Sequence, residues 1–68
     1  MKEELETLDF KHEFSYTDYN LNLKDYLISI SINTGDVYLY SYGQGIFMFK
    51  YELNKLKQLI KLLQNENN

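Results

Sequence analysis

The fold is decided by residues 27–42, LISISINTGDVYLYSY. Residues 27–33 alternate apolar and polar side chains, and residues 36–42 do the same. This alternation is the period of a strand with one buried face. Between the two runs lies the segment Asn-Thr-Gly-Asp, in which Gly35 accepts the positive φ that tight turns require. The stretch therefore predicts an antiparallel hairpin.

The length of the hairpin loop decides which side chains share a face. A loop with an even number of residues places Ile32 opposite Val37 and Ile30 opposite Leu39, whereas a three-residue loop would mix apolar and polar side chains on both faces. We therefore expect an even-numbered loop. The aliphatic face then consists of Ile28, Ile30, Ile32, Val37 and Leu39. The opposite face holds Ser29, Ser31, Tyr38, Tyr40 and Tyr42.

A second turn is predicted at residues 43–45, Gly-Gln-Gly, before a further strand that ends near Lys50. A three-residue loop with Gly45 in the left-handed region adds Phe47 and Phe49 to the aliphatic face. A two-residue loop would instead place both Phe side chains beside the tyrosines. We favour the three-residue loop. The side chains that would then join the tyrosines are Ile46 and Met48.

Residues 52–64 predict an amphipathic helix, because six apolar residues recur at helical spacing over about half of the helix circumference. These residues are Leu53, Leu56, Leu59, Ile60, Leu62 and Leu63. So wide an apolar arc exceeds what one small sheet covers. Either a partner covers the remainder or the N-terminal segment wraps it.

The N-terminal third gives weaker patterns. Residues 9–17 alternate and predict a first strand, and residues 2–8 predict a short helical turn with Leu5 and Leu8 inward. Residues 17–25 are polar and predict a connection, with some extended structure around its leucines. The predicted fold class is α+β, an antiparallel meander of three to four strands with one C-terminal amphipathic helix packed on one face.

The length of 68 residues predicts a single domain, with residues 1–8 and 65–68 disordered or frayed. A domain of this size buries only about 60% of the surface that its unfolded chain exposes. The chain has no Cys, so disulfides and Cys-bearing zinc sites are excluded. Self-association or a tightly bound partner therefore remains as a source of extra stability.

The hydrophobic pattern predicts a cytoplasmic protein that does not contact the membrane. The longest unbroken apolar run is Ile46–Phe49, whereas a membrane-spanning helix needs about 20 apolar residues. The first residues, Met-Lys-Glu-Glu, are acidic and lack the apolar region of a signal peptide.

Charge is distributed unevenly along the chain. Residues 1–26 hold seven acidic and three basic residues, a net charge of −4, and residues 27–68 hold three acidic and four basic residues, a net charge of +1. The sequence contains no Arg and no cluster of Lys, so direct binding of nucleic acid is not expected. An acidic segment fits a basic surface on another protein.

The sequence offers no group of residues typical of catalysis. His12 is the only His, and on a strand it faces away from Ser15, its nearest candidate nucleophile. On such a strand Glu13 also points away from His12, which disfavours a metal site with Asp9. The segment at Gly43 and Gly45 lacks the Lys and hydroxyl residue of a phosphate-binding loop. We therefore expect no enzymatic activity, no metal and no cofactor.

The strongest functional signal is the tyrosine run. Tyrosine is enriched in binding hot spots, because its ring is apolar and its hydroxyl is polar. Two structural alternatives are ordinary strand propensity and a cover formed by Leu5, Leu8 and Phe10. The predicted partner-binding residues are the aromatic anchors Tyr38, Tyr40 and Tyr42, with Glu3, Glu4, Glu6 and Asp9 steering a basic partner.

In size, acidity and lack of Cys, the chain is similar in general character to phage-encoded inhibitors, anti-CRISPR proteins among them. This resemblance covers composition and length, and it assigns a role to no particular residue. It implies a small interaction module that inhibits or modulates a host macromolecule, in the manner of a DNA mimic. The alternative is a homodimeric structural or regulatory subunit. A small enzyme or ligand binder is the third hypothesis.

Overall fold

The computed structural model describes residues 1–12 and 17–66. The elements in chain order are α1 (Lys2–Thr7), β1 (Lys11–His12), β2 (Asp18–Asn22), β3 (Leu27–Ser31), β4 (Asp36–Ser41), β5 (Gln44–Lys50) and α2 (Leu53–Glu66). The strands form one antiparallel sheet in the order in which they occur along the chain. The α+β class and the antiparallel meander are confirmed, but the sheet has five strands within the described residues, so the prediction of three to four was wrong.

The additional strand is β2, which lies where the sequence predicted a polar connection. Asp and Asn are poor strand formers, and their frequency in this segment hid the alternation of Tyr19 and Leu21. Pairing with β3 along the whole length of β2 provides partners for the backbone groups, and this tertiary contact outweighs the local propensity. The predicted strand at residues 9–17 is represented by β1 alone, and residues 13–16 lie outside the described residues.

The first hairpin has the predicted faces but a different register. Ile30 lies opposite Val37, and Ile28 lies opposite Leu39, so the pairing is displaced by two residues from the one expected. A displacement by two residues leaves every side chain on its face, because the side-chain period of a strand is two. Gly35 adopts φ 78°, and its N–H donates to the Ser31 carbonyl at 2.8 Å.

The second hairpin differs from the prediction. Its turn consists of Tyr42 and Gly43, with φ of 54° and 81°, and Ser41 pairs with Gln44. Positive φ at both positions is the signature of a two-residue type I′ turn, so the predicted three-residue loop at 43–45 was wrong. The prediction failed because a tyrosine occupies a left-handed position that is usually taken by Gly or Asn.

The shorter turn changes the faces of β5. Phe47 lies opposite Tyr38, and Ile46 lies opposite Leu39, so both side chains are on the face opposite to the one predicted. A β-bulge then shifts the register between Val37 and Tyr38, and Phe49 lies opposite Val37. Phe49 thus returns to the aliphatic side, where the sequence had placed it.

One hydrophobic cluster joins the aliphatic face to both helices. Its buried members are Leu5, Phe10, Tyr19, Ile28, Ile30, Val37, Leu56, Leu59, Ile60 and Leu63. We call the sheet face that supplies its strand side chains the core face. In α2, Leu62 stays 59% exposed, whereas Leu59 and Leu63 are buried.

The N-terminal segment belongs to this core, as the inward placement of Leu5 and Leu8 predicted. Leu5 is fully buried, and Leu8 packs against the cluster. At the end of α1, Asp9 adopts φ 72°, its N–H donates to the Glu6 carbonyl at 3.1 Å, and the Phe10 N–H donates to the Leu5 carbonyl at 3.0 Å. This is a Schellman motif, and its apolar contact joins Leu5 to Phe10. The N-terminal segment therefore packs with α2 and the core face, and not on Tyr38, Tyr40 and Tyr42.

Candidate interaction surface

The sheet face opposite the core face carries two rows of paired residues across the strands. One row runs from β1 to β5 through Lys11, Asn20, Ser29, Tyr38 and Phe47. The next row runs from β2 to β5 through Asn22, Leu27, Tyr40 and Gly45. We call this the open face. It is polar toward β1 and β2, and apolar toward β4 and β5.

The apolar half of the open face forms a compact aromatic surface, which consists of Leu27, Tyr38, Tyr40 and Phe47. The ring centroids of Tyr38 and Phe47 are 5.9 Å apart with planes at 73°, and those of Tyr38 and Tyr40 are 6.4 Å apart. None of these four side chains belongs to the hydrophobic cluster of the core. Tyr40 is 38% exposed and Phe47 is 53% exposed. The aromatic surface is therefore preorganised by ring contacts and remains accessible.

Gly45 leaves room for the Tyr40 ring. A Cβ atom at this position would overlap the Tyr40 ring, so the ring occupies the space above the glycine. A tyrosine that lies across a strand glycine covers backbone that would otherwise contact water. The ring therefore lies close against the sheet, with one side facing outward.

Tyr42 does not continue the row of tyrosines, because it lies in the turn. Its side chain is 92% exposed. Together with Tyr40 it borders an open groove of about 490 Å³, whose other wall is the turn between β2 and β3. Tyr38 and Tyr40 therefore lie on the open face, whereas Tyr42 lies in the turn next to it. Among the three predicted tyrosines, only Tyr38 and Tyr40 contact each other.

The predicted acidic residues lie on a different part of the molecule. Glu3, Glu4 and Glu6 are exposed on α1, and Asp9 is exposed directly after it. Because Leu5 of the same helix belongs to the core cluster, these carboxylates are associated with the core-face side of the sheet. The structure does not bring them together with the aromatic surface on one face.

The only salt bridge that joins two strands in the described part of the chain stands beside the aromatic surface. The Lys50 ammonium lies 2.7 Å from the Asp36 carboxylate and also donates to the Thr34 carbonyl at 3.1 Å. The hydrogen bond from Lys50 lowers the pKa of Asp36, partial burial opposes this effect, and a bond with Thr34 adds to it. The charges at this end of β4 and β5 are therefore mutually neutralised.

Tyr19 and His12 show how the other edge of the sheet is arranged. Burial raises the pKa of the Tyr19 hydroxyl, and the nearby Glu6 carboxylate raises it further. The ring of His12 lies edge-on to the Tyr19 ring, with centroids 3.8 Å apart. His12 is thus engaged in a packing contact with a buried tyrosine.

Tyr51 connects α1 to the end of β5. Its hydroxyl donates a hydrogen bond of 2.6 Å to the Glu4 carboxylate, and its N–H donates to the Gly35 carbonyl at 2.6 Å. Burial, followed by the hydrogen bond and the negative charge of Glu4, raises the pKa of Tyr51 to about 12.

We expect Tyr51→Phe to change the alkaline limit of stability. Because the pKa of Tyr51 is higher in the folded state than its ordinary value, the stabilising contribution is complete below about pH 10. It is lost as the pH rises toward about 12. The variant should lose about 1 kcal/mol near pH 7 and show a flatter decline above pH 10, in urea unfolding at a series of pH values. Tyr42→Phe, in the exposed turn, is the matched control, and an equal alkaline slope for wild type and Tyr51→Phe would contradict the assignment.

Within residues 1–12 and 17–66, no three His, Asp or Glu side chains are grouped as metal ligands would be. None of the helices in the described part of the chain has the length and apolarity needed to cross a membrane.

Sequence reasoning missed Phe47 and Leu27 as members of the aromatic surface. Phe47 was assigned to the aliphatic face, because the turn was placed at 43–45. The signal that could have identified it is Tyr42-Gly43 as a two-residue turn, which places Phe47 beside the tyrosines. Leu27 was recognisable from its spacing to Ser29 along β3, because residues two apart share a face.

Comparison of the chain with models of known protein families, with curated proteins and with solved structures finds no match.

Proposed function

We propose that this chain is a non-catalytic interaction module that binds another protein through its aromatic surface and thereby inhibits or modulates that protein. The observation that carries the proposal is the exposure of two aromatic side chains, Tyr40 and Phe47, on the open face of the sheet outside the core. Exposed aromatic groups on a preorganised scaffold bind with little loss of side-chain entropy.

The composition of the surface favours a protein partner. The centres of protein interfaces are depleted of charge and enriched in Tyr and Phe, as this surface is. The exposed Asn22 and the half-buried Ser29 of the open face provide the polar rim that such interfaces have. A nucleic acid would also stack on aromatic rings, but it requires basic residues around them. Lys11 is the one basic residue in the two open-face rows, and Lys50, which lies beside them, is paired with Asp36.

The carboxylates of α1, together with Asp9 directly after it, have a different role in the proposed binding. Glu3, Glu4, Glu6 and Asp9 lie away from the aromatic surface, so they act on the approach of a partner and not in the central contact. Charges outside an interface raise the association rate of an oppositely charged partner and contribute little to the lifetime of the complex. The partner would therefore carry a basic region beside an apolar contact surface.

Tyr40→Ala and Phe47→Ser should each reduce the recovery of a specific partner about tenfold or more in a pull-down from the cognate host. The loss of one aromatic anchor at the centre of an interface typically costs about 2 kcal/mol or more of binding free energy. Leu62→Ser is the matched control, because Leu62 is as exposed as Phe47 but lies on α2.

Thermal melts by circular dichroism separate binding from folding. The proposal expects Phe47→Ser to melt close to the wild-type temperature while it loses the partner. Equal recovery by wild type and both aromatic variants, or equal loss with Leu62→Ser, would contradict the role of the aromatic surface.

A further inference from the structure

The edge of the sheet at β5 lacks the features that normally prevent strands from pairing with other chains. β5 is the longest strand, with seven residues, and no strand in the described part of the chain lies on its outer side. Protected edges carry charged residues or Pro, which this strand lacks from Gln44 to Phe49. Ile46 is 62% exposed, although it lies on the core face.

The turn geometry determines which backbone groups of β5 point outward. In the two-residue turn at Tyr42-Gly43, the flanking residues Ser41 and Gln44 form a hydrogen-bonded pair. Hydrogen-bonded and non-hydrogen-bonded pairs alternate along an antiparallel ladder, so Ile46 also bonds to β4. The N–H and C=O groups of Gly45 and Phe47 therefore point away from the sheet.

The charge at this edge favours a neutral, apolar occupant. The only charged residue of β5 is Lys50, and it is neutralised by Asp36 at 2.7 Å. The acidic residues of α1 and β2 belong to other parts of the fold, and β2 is separated from β5 by two strands. A second copy of β5 can thus approach without bringing its acidic segment against that of the first copy.

We propose that β5 pairs antiparallel with β5 of a second copy of this chain, about a two-fold axis at Ile46. In this register, Ile46 lies opposite the partner's Ile46, and Gly45 lies opposite the partner's Phe47. Gly45 and Phe47 then exchange their outward backbone hydrogen bonds with the partner's Phe47 and the partner's Gly45. An axis at Gly45 or Phe47 would form one hydrogen-bonded residue pair between the two strands instead of two. The Ile46 register therefore gives hydrogen-bond partners to the largest number of outward backbone groups.

The side chains fit the same register. The two Ile46 side chains cover each other on the core face, and each Phe47 lies beside the partner's Tyr40 ring, which covers the partner's Gly45. Gly45 and Phe47 are both on the open face, so the aromatic surface continues from one copy into the next. The bulge next to Phe47 ends the regular edge, which limits the paired segment to a few residues and makes the dimer weak and concentration-dependent.

This inference does not rest on the proposed function, because its test residue, Ile46, lies on the face opposite Tyr40. Sedimentation equilibrium from micromolar to millimolar concentration should show a monomer–dimer equilibrium for the wild type. Ile46→Lys should raise the dimer dissociation constant about tenfold or more, because it places two like charges at the axis. Leu62→Lys, on the equally exposed α2 position, should leave it unchanged.

Hydrogen exchange measured at low and high protein concentration tests the register. The amides of Gly45 and Phe47 should gain protection at high concentration, whereas the amide of Ile46, already bonded to β4, should change little. A wild type that stays monomeric throughout would overturn the proposal and leave the edge to a strand of another protein. A dimer that survives Ile46→Lys, or that leaves the Gly45 and Phe47 amides unprotected, would also overturn it.

Discussion

Leu5→Ala is expected to leave a large fraction of the molecules unfolded at 25 °C. Leu5 is fully buried, and it is among the five largest side chains that have almost no exposed surface. Replacing a buried leucine by alanine costs about 2–5 kcal/mol, which includes the cavity that remains. The core of a domain of this size rarely supplies more than about 3–5 kcal/mol of stability. The substitution therefore removes most of the total.

The measurement is urea unfolding followed by circular dichroism, with the wild type and Leu62→Ala in parallel. Leu62 is exposed on α2, so its truncation should change the midpoint by little. A Leu5→Ala variant with a wild-type midpoint would mean that α1 contributes nothing to the core. That result would support the sequence-based expectation of a frayed N-terminal segment.

Asn20→Leu is expected to stabilise the protein, although it replaces a polar residue on the open face. Asn20 is 6% exposed, and its Oδ1 atom is buried without a hydrogen-bond partner. A buried polar atom that lacks a partner costs about 1–3 kcal/mol. Leucine has nearly the same shape and no polar atom, so it keeps the packing and removes the cost. We expect a gain of about 1–2 kcal/mol in the free energy of unfolding.

A gain of this size raises the melting temperature of a small domain by roughly 5–10 °C, and a thermal melt detects it readily. Asn22→Leu is the matched control, because Asn22 lies on the same strand and face but is exposed. The control should be close to neutral. A lower melting temperature for Asn20→Leu would show that the Asn20 amide has a polar role in the fold that outweighs its desolvation.

The regular patterns in the sequence identified the elements with the strongest hydrophobic signal. The alternation in residues 27–42 specified β3, β4 and the composition of the core face, and the helical spacing specified α2 within two residues at its C-terminal end. These predictions were possible because a half-buried strand and an amphipathic helix each leave a periodic record in the chain. The two-residue error in register did not change which side chains share a face, since the side-chain period of a strand is two.

The elements that depend on distant partners were not recoverable in this way. β2 is a strand because β3 lies beside it, and its Asp and Asn residues gave a loop-like composition. Tyr42 adopts a left-handed backbone that its own propensity disfavours, because the β4–β5 pairing holds the turn. The faces of Ile46 and Phe47 follow from that single turn residue, so one local error reversed both assignments.

For the candidate surface, too, local properties were predictable from the sequence, whereas contacts between elements were not. The sequence by itself determined that tyrosines share a strand face and that acidic residues crowd the N-terminal third, because both properties are local. Only the tertiary structure decided that α1 packs on the core-face side, that Phe47 joins Tyr38, and that β5 ends the sheet with outward backbone groups at Gly45 and Phe47. The physical reason is that contacts between elements depend on register and on the order of strands, and neither is encoded in the periodicity of a single segment.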